Sequence, residues 1–156
     1  MEIKRIGPSE SDLVAELFNK YRIFYRQGSN IELAKSFIQT RLDNNESVIF
    51  VALMTQQSDS IPAGFTQLYP KYSSARATKN WILNDLYVDD AFREQGIGEK
   101  LIKTAIIFAR DQGADFVQLS TAIDNYTAQK LYEHIGFEKQ NPNTGFLDYR
   151  INLEGL

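Results

Sequence analysis

The sequence predicts an α/β fold, a mixed central sheet of about six or seven strands flanked on both faces by about four helices. Strand-like runs cluster between Ser47 and Val88 at spacings that suit antiparallel hairpins. A strand–helix–strand unit then crosses Gly96, which calls for a parallel pairing. Helical periodicities occupy the N-terminal third and the stretch before Gly136. With 156 residues, the chain reads as one domain, 1–156, long enough to bury roughly 70% of its unfolded surface.

The elements follow in order. Glu2–Ile6 reads as a first strand. "SESD" at Ser9–Asp12 has the form of a helix N-cap, ahead of Leu13, Leu17, Tyr21 and Phe24 at helical spacing. "SNIE" at Ser29–Glu32 starts a second helix carrying Leu33, Phe37 and Leu42, and "DNNE" at Asp43–Glu46 is turn chemistry. Ser47–Met54 is apolar and β-branched enough for a strand buried on both faces. "QQSDSIP" reads as a loop, and Ala63–Tyr72 and Asn80–Val88 as the next strands. Beyond the glycines, Ile97, Leu101, Ala105 and Phe108 share one helical face, which Gly113 closes at the C′ position. Asp115–Thr121 is a strand. Ala128, Leu131, Tyr132 and Ile135 mark a last helix, ended by Gly136. "NPNTG", Asn141–Gly145, turns the chain between two closing strands near Phe137–Lys139 and Phe146–Asn152.

Composition removes several functions. Without cysteine there is no disulfide, thiolate metal site or cysteine nucleophile, and His134 is the only histidine. A metal is therefore not expected. Seventeen basic against 20 acidic residues leave a formal net charge of −3 and no footprint for nucleic acid. The N-terminus has no signal-peptide core and no apolar run has membrane-spanning length, so a cytoplasmic protein without a membrane partner is expected.

The chemistry concentrates at "LYVDDAFREQGIGEKL". A strand handing over to a helix through Gly96 and Gly98 offers bare amides beside the positive end of a helix dipole, a cradle suited to phosphate. The nucleotide-triphosphate loop needs Gly-Lys-Ser/Thr at this point, whereas Glu99 follows Gly98. The dinucleotide fingerprint needs a small residue where Leu101 stands. Arg93-x-x-Gly96-x-Gly98 remains, with a sharp structural turn as its plain alternative.

The run from Leu86 to Phe137 resembles the GNAT superfamily of N-acetyltransferases. That family's coenzyme motif appears as "LYVDDAFREQGIG" and its later motif as "NYTAQKLYEHIGF", Asn125 to Phe137. The resemblance implies a GNAT-like acyl-CoA N-acyltransferase fold, acetyl-CoA as cosubstrate without a metal, and an amine acceptor, small or peptide-borne. It also implies a cleft opened by two splayed strands, those of Asn80–Val88 and Asp115–Thr121. Leu86, Tyr87 and Val88 match the segment that pairs with the pantetheine arm. Arg93, Glu94, Gln95, Gly96, Ile97 and Gly98 match the pyrophosphate loop, and Glu99 the first helical position after it. Asn125 and Ala128 match residues lining the coenzyme, and Tyr132 the tyrosine that protonates the departing thiolate. By the same analogy a homodimer is expected.

From the residues alone, each role has a rival. Tyr132 also reads as a core aromatic, Asn125 as a helix cap, and Arg93 as a solvated loop residue. Asn84 stands where many relatives carry a glutamate base, and an amide cannot serve as that base; it is read as a substrate contact. Asp85 is the base candidate, although strand alternation turns it away from Asn84 unless a bulge intervenes. A water chain is the alternative. Tyr25 and Arg26, late in the first helix, are candidate substrate contacts, with core packing as their plain reading. The missing acid at Asn84 also leaves open a non-catalytic acyl-CoA-binding module.

Overall fold

The structure is a computed structural model describing residues 1–142 and 145–155. It divides into two compact units, Met1–Ala122 and Ile123–Leu156.

The first unit is built on a five-stranded sheet in the order β1-β2-β3-β4-β5. β1 (Glu2–Arg5), β2 (Val48–Gln56), β3 (Asp59–Ser73) and β4 (Thr78–Val88) pair antiparallel in turn, and β5 (Val117–Gln118) joins β4 in parallel. β2 is buried from Val48 to Leu53, as its unbroken apolar run predicts. The expected loop at "QQSDSIP" is instead a tight hairpin. Gln57 and Ser58 both take positive φ (48° and 73°), the geometry of a two-residue turn matched to strand twist, so the strands run on to Gln56 and from Asp59.

Helices cover both faces. The first does not start at the predicted cap. Pro8–Leu13 forms a 3-10 turn in which the Glu10 carboxylate accepts from the Gly7 N–H at 3.1 Å, and α1 follows at Ala15–Phe24. α2 (Ile31–Asp43) is capped by Asn30, whose side-chain oxygen accepts from the Leu33 N–H at 3.0 Å. Its buried stripe is Ala34, Ile38 and Leu42, whereas Leu33 and Phe37 remain exposed at 49% and 38%. Ile38 and Leu42 join Val14, Leu17, Phe18, Ile49, Val51 and Phe65 in one core on the α1/α2 side. On the other side α3 (Ile97–Asp111) buries Ile97, Leu101, Ile102 and Ala105, and its Phe108 meets Phe50 and Trp81 edge-on. Gly113, at φ +81°, closes α3 as predicted.

In the second unit α4 (Tyr126–Ile135) is capped by Asn125 and ended by Gly136 at φ +124°. The two predicted closing strands are absent among the described residues. Phe146, Leu147, Tyr149 and Ile151 stand 72–90% exposed, without strand pairing. Their alternation suits a strand, but alternation alone supplies no partner. Part of the "NPNTG" turn lies outside the described residues. The described sheet therefore has five strands rather than six or seven. Among the described residues no helix is long and apolar enough to cross a membrane.

Candidate active site

β4 outruns its parallel neighbour. β5 pairs only Val117 with Trp81 and Gln118 with Ile82. From Leu83 to Val88 the β4 edge that faces β5 has no strand partner among the described residues, while its other edge stays paired to β3. Two parallel strands that separate in this way open a wedge whose wall is β4 main chain without a strand partner, although the Asn84, Asp85 and Val88 carbonyls along it accept from the side chains of Tyr21, Thr66 and Arg93. Leu86, Tyr87 and Val88 lie on that wall and are partly exposed.

Gly64 lets this wall sit where it does. On β3 it pairs with Val88 of β4, and a Cβ there would come 2.9 Å from the Tyr87 carbonyl oxygen, 3.3 Å from Val88 Cγ2 and 3.4 Å from Ile97 Cγ2. Only glycine fits between β4 and the start of α3. The sequence reading missed it, although an isolated glycine within a strand pattern is the available signal.

The glycine loop delivers the chain from β4 into α3. Asp89 caps a short 3-10 turn, Asp90–Phe92, through a 3.1 Å bond from the Ala91 N–H, and Phe92 is buried beneath it. Glu94 (φ 63°) and Gly96 (φ 76°) then take left-handed backbone. Gly96 is the N-cap of α3 and no side chain caps this helix. Among the described residues the amides of Ile97 and Gly98 therefore meet no protein acceptor. A Cβ at Gly98 would meet only Val88 Cγ2, at an ordinary 3.9 Å. Protein packing does not require glycine there, but an external group resting on the main chain would. Gln95 lies between the two left-handed residues and is exposed.

Two charged side chains at the loop have protein partners. The Arg93 Nε–H donates to the Val88 carbonyl at 3.0 Å, one terminal nitrogen meets Asp90 at 3.0 Å, and the guanidinium lies 5.7 Å from the Tyr87 ring centre. Arg93 thus braces the loop against β4. Glu99 pairs with Lys103 one helical turn on, at 3.3 Å.

On the α1/α2 side the decisive feature is a bulge. Gln67 of β3 is opposite Asp85, but Leu68 is opposite Leu83, so Asn84 is the extra residue on β4. Trp81, before the bulge, packs on Phe108 of α3. After the bulge, Tyr87 packs against the core beneath α1 and α2. The bulge thereby turns Asp85, only 3% exposed, onto the α1/α2 face.

A buried polar chain converges on Asp85. The Ser47 hydroxyl donates to the Gln67 side-chain oxygen at 2.7 Å, and the Gln67 amide N–H donates to Asp85 Oδ2. The Asn84 side-chain amide donates to Asp85 Oδ1 at 2.7 Å. The Tyr21 hydroxyl lies 3.5 Å from the Asn84 carbonyl and its ring centre is 4.9 Å from that of Tyr25. Burial pushes the Asp85 carboxyl above the usual carboxylate range, opposed by the bonds from Asn84, Gln67 and Tyr21. Burial, with the Asp85 charge nearby, also raises the Tyr21 phenol. Sequence reasoning singled out Asp85 but not Gln67, whose role depends on the register of two strands. Tyr25 is 58% exposed at the end of α1, beside Tyr21, and Arg26 leaves the helix at φ 63°.

In the second unit, the Asn125 side-chain oxygen accepts from the Ala128 N–H at 3.2 Å, so the predicted cap is formed. Tyr132 is partly exposed and meets Phe137 edge-on, with ring centres 6.0 Å apart.

The sequence profile of the acetyltransferase (GNAT) family matches residues 14–137. The chain belongs to the GNAT acetyltransferase family. It is 40% identical over 153 residues to an uncharacterised N-acetyltransferase, YhfO, of Bacillus subtilis (strain 168), covering 98% of each chain. A crystal structure of a probable acetyltransferase superposes with a TM-score of 0.85 at 38% identity over 98% of both chains. A thialysine N-epsilon-acetyltransferase of Mus musculus is 30% identical over 101 residues, 65% of this chain and 59% of that one. The chain is thus an acyltransferase of a family that uses acetyl-CoA.

Proposed function

We infer that this acetyltransferase moves acetyl from acetyl-CoA to a primary amine, both substrates being bound together for direct attack. The observation that carries the reading is the unpaired β4 edge from Leu83 to Val88, running into uncapped α3 amides at Gly96–Gly98. An extended amide-bearing arm can pair with that edge, and a pyrophosphate can rest on the α3 amides with the helix dipole behind them. Acetyl-CoA supplies its acetyl group as a thioester, whose C–S bond is exchanged for a C–N bond to the acceptor.

The chain's own residues then have defined work. Main-chain N–H groups of Leu86 and Val88, which alternate away from β3, hold the arm and polarise the carbonyl, with Tyr87 between them paired to β3. Asp85 takes the proton that the attacking nitrogen loses, and burial has already raised its proton affinity above that of an ordinary carboxylate. The Asn84 amide, turned toward Asp85, leaves its own oxygen to accept from the amine. Tyr132, by family resemblance, gives a proton to the coenzyme sulfur, and Asn125 and Ala128 line the coenzyme. Tyr25 and Arg26 edge the acceptor side. The thialysine relative supports an acceptor nitrogen at the end of a side chain. The profile match spans both compact units, which supports one catalytic domain. A homodimer and a cytoplasmic setting belong to the same reading.

The test is free-thiol release from acetyl-CoA against a panel of polyamines, amino acids and lysine peptides. The chain contains no cysteine to add background. Amine-dependent release is expected, and saturable coenzyme binding with none would leave a binding module instead.

A further inference from the structure

A groove of about 610 Å³ lies between the C-terminal half of α2 and β3, lined by Phe37, Arg41, Glu46, Tyr69, Pro70 and Tyr72 among others. No motif in the sequence marked it. Its charged wall is held in a fixed pose. The Arg41 Nε–H donates to Glu46 Oε1 at 3.1 Å, and the guanidinium stacks 4.4 Å above the Phe37 ring. The Arg41 side chain is only 21% exposed. Among the described residues its two terminal nitrogens have no acceptor, so a residue that lines the groove keeps a planar fork of N–H groups unused. Asn44 donates to the Glu46 oxygen that Arg41 already uses, at 3.4 Å, which leaves Glu46 Oε2 unpartnered among the described residues. Phe37 exposes 38% of its surface here and Tyr72 69%, far more than the sheet's core aromatics.

The groove also adjoins the bulge. Tyr69 shares a strand face with Gln67, two residues away, and Gln67 is directly opposite Asp85. Two strand residues span about 7 Å. The Tyr69 phenol, pushed up to about 12, first by burial and then by Asp85, is pulled down by Arg41 and raised further by Glu46, so it stands within reach of both charge centres.

We propose that this groove is the head-group subsite of the acceptor, and that the acceptor is a free amino acid bearing a side-chain amine. The α-carboxylate pairs with the Arg41 fork, a bidentate match that ammonium-bearing side chains cannot offer. The α-ammonium meets Glu46 Oε2. An aliphatic spacer lies along Phe37 and Tyr69, and the terminal amine reaches Asn84 and Asp85. A polyamine would leave the Arg41 fork unmatched, and a lysine within a peptide carries no free carboxylate to fill it. The proposal rests on the acetyl-transfer reading and adds the class of acceptor.

L-lysine and L-ornithine are compared as acceptors with their carboxamides and with the matching diamines, by free-thiol release from acetyl-CoA. For at least one amino acid the KM should lie about tenfold to a hundredfold below those of its amide and diamine, as expected for a charge-assisted bidentate contact. Arg41→Gln should lift the amino-acid KM to the amide's level, leaving the amide and diamine KM values and all kcat values near their starting points. Equal KM values across each set, a diamine that reacts while neither amino acid does, or an Arg41→Gln shift of equal size on every acceptor overturns the subsite while acetyl transfer to amines stands. No thiol release with any amine removes the transfer reading itself, and the subsite with it. The wild-type comparison decides the matter alone should the variant not fold.

Discussion

The two sides of β4 are built from different materials. Toward α3 the site is main chain: a strand edge without a partner, a glycine N-cap and amides without acceptors. Toward α1 and α2 it is side chain: Ser47, Gln67 and Asp85 in a buried polar chain that exposed Asn84 joins from outside, with Tyr21 beside it. A surface of amides and dipoles suits a cosubstrate of fixed chemistry. A surface of side chains can be changed one residue at a time, which is where acceptor choice belongs. Substitutions on the two sides should therefore fail differently.

The largest effect is expected from Tyr132→Phe, the proposed acid. It should lower kcat by about 100-fold or more and leave coenzyme affinity near its wild-type value, as loss of a general acid does. Unchanged turnover in steady-state kinetics would return Tyr132 to a packing role beside Phe137. Gln67→Leu should come next. It keeps the volume but strips a donor from Asp85 and orphans the Ser47 hydroxyl. The cost should be about 1–3 kcal/mol by chemical denaturation. Since the lost bond favours the charged carboxylate, the acid limb of the pH–rate profile should also move to higher pH; a limb that stays put argues against Asp85 as the titrating group.

On the main-chain side, Gly64→Ala drives a Cβ to 2.9 Å from the Tyr87 carbonyl. About 1–3 kcal/mol of stability should be lost by overpacking, with coenzyme KM rising because the β4 wall shifts. A variant with unaltered coenzyme KM would show that this wall is not where the arm binds. Gly96→Ala has open space but a positive φ, so about 1–2 kcal/mol of backbone strain is expected and little more. Its denaturation midpoint and coenzyme KM give the smallest readout of the series.

Legibility in the sequence follows the same division. The glycine loop could be read because every part of it is local: turn, cap and helix start fall within a dozen residues, and the spacing alone excludes two nucleotide motifs. The caps at Asn125 and Gly113 were legible for the same reason, whereas the second helix, expected to start at Ser29, is capped one residue later by Asn30. The bulge at Asn84 was not, because it exists only in the register of β4 against β3. Strand alternation alone turned Asp85 away from Asn84 unless a bulge intervened, and only the register of the two strands shows that one does. Phe37 fits the helical period of α2 but belongs to its outer side, where it supports Arg41 rather than the core. The expected closing strands had the alternation of strands, and pairing is not encoded within a single segment. The groove beside Tyr69 joins residues from α2, the turn after it and β3, and no linear pattern marks such a meeting.

The central claim is that Asp85, turned inward by the bulge, receives the proton of the acceptor amine. The pH dependence of kcat/KM for one amine, in the wild type and in Asp85→Asn, tests it most directly. A carboxyl with a raised pKa is inactive as a base while protonated. The wild-type rate should therefore climb with pH through a limb centred above the ordinary carboxylate range of about 4, apart from the slope due to the amine's own ionisation. In Asp85→Asn that limb should vanish and the plateau should fall by about 100-fold or more. The same limb and the same plateau in both proteins would contradict the account.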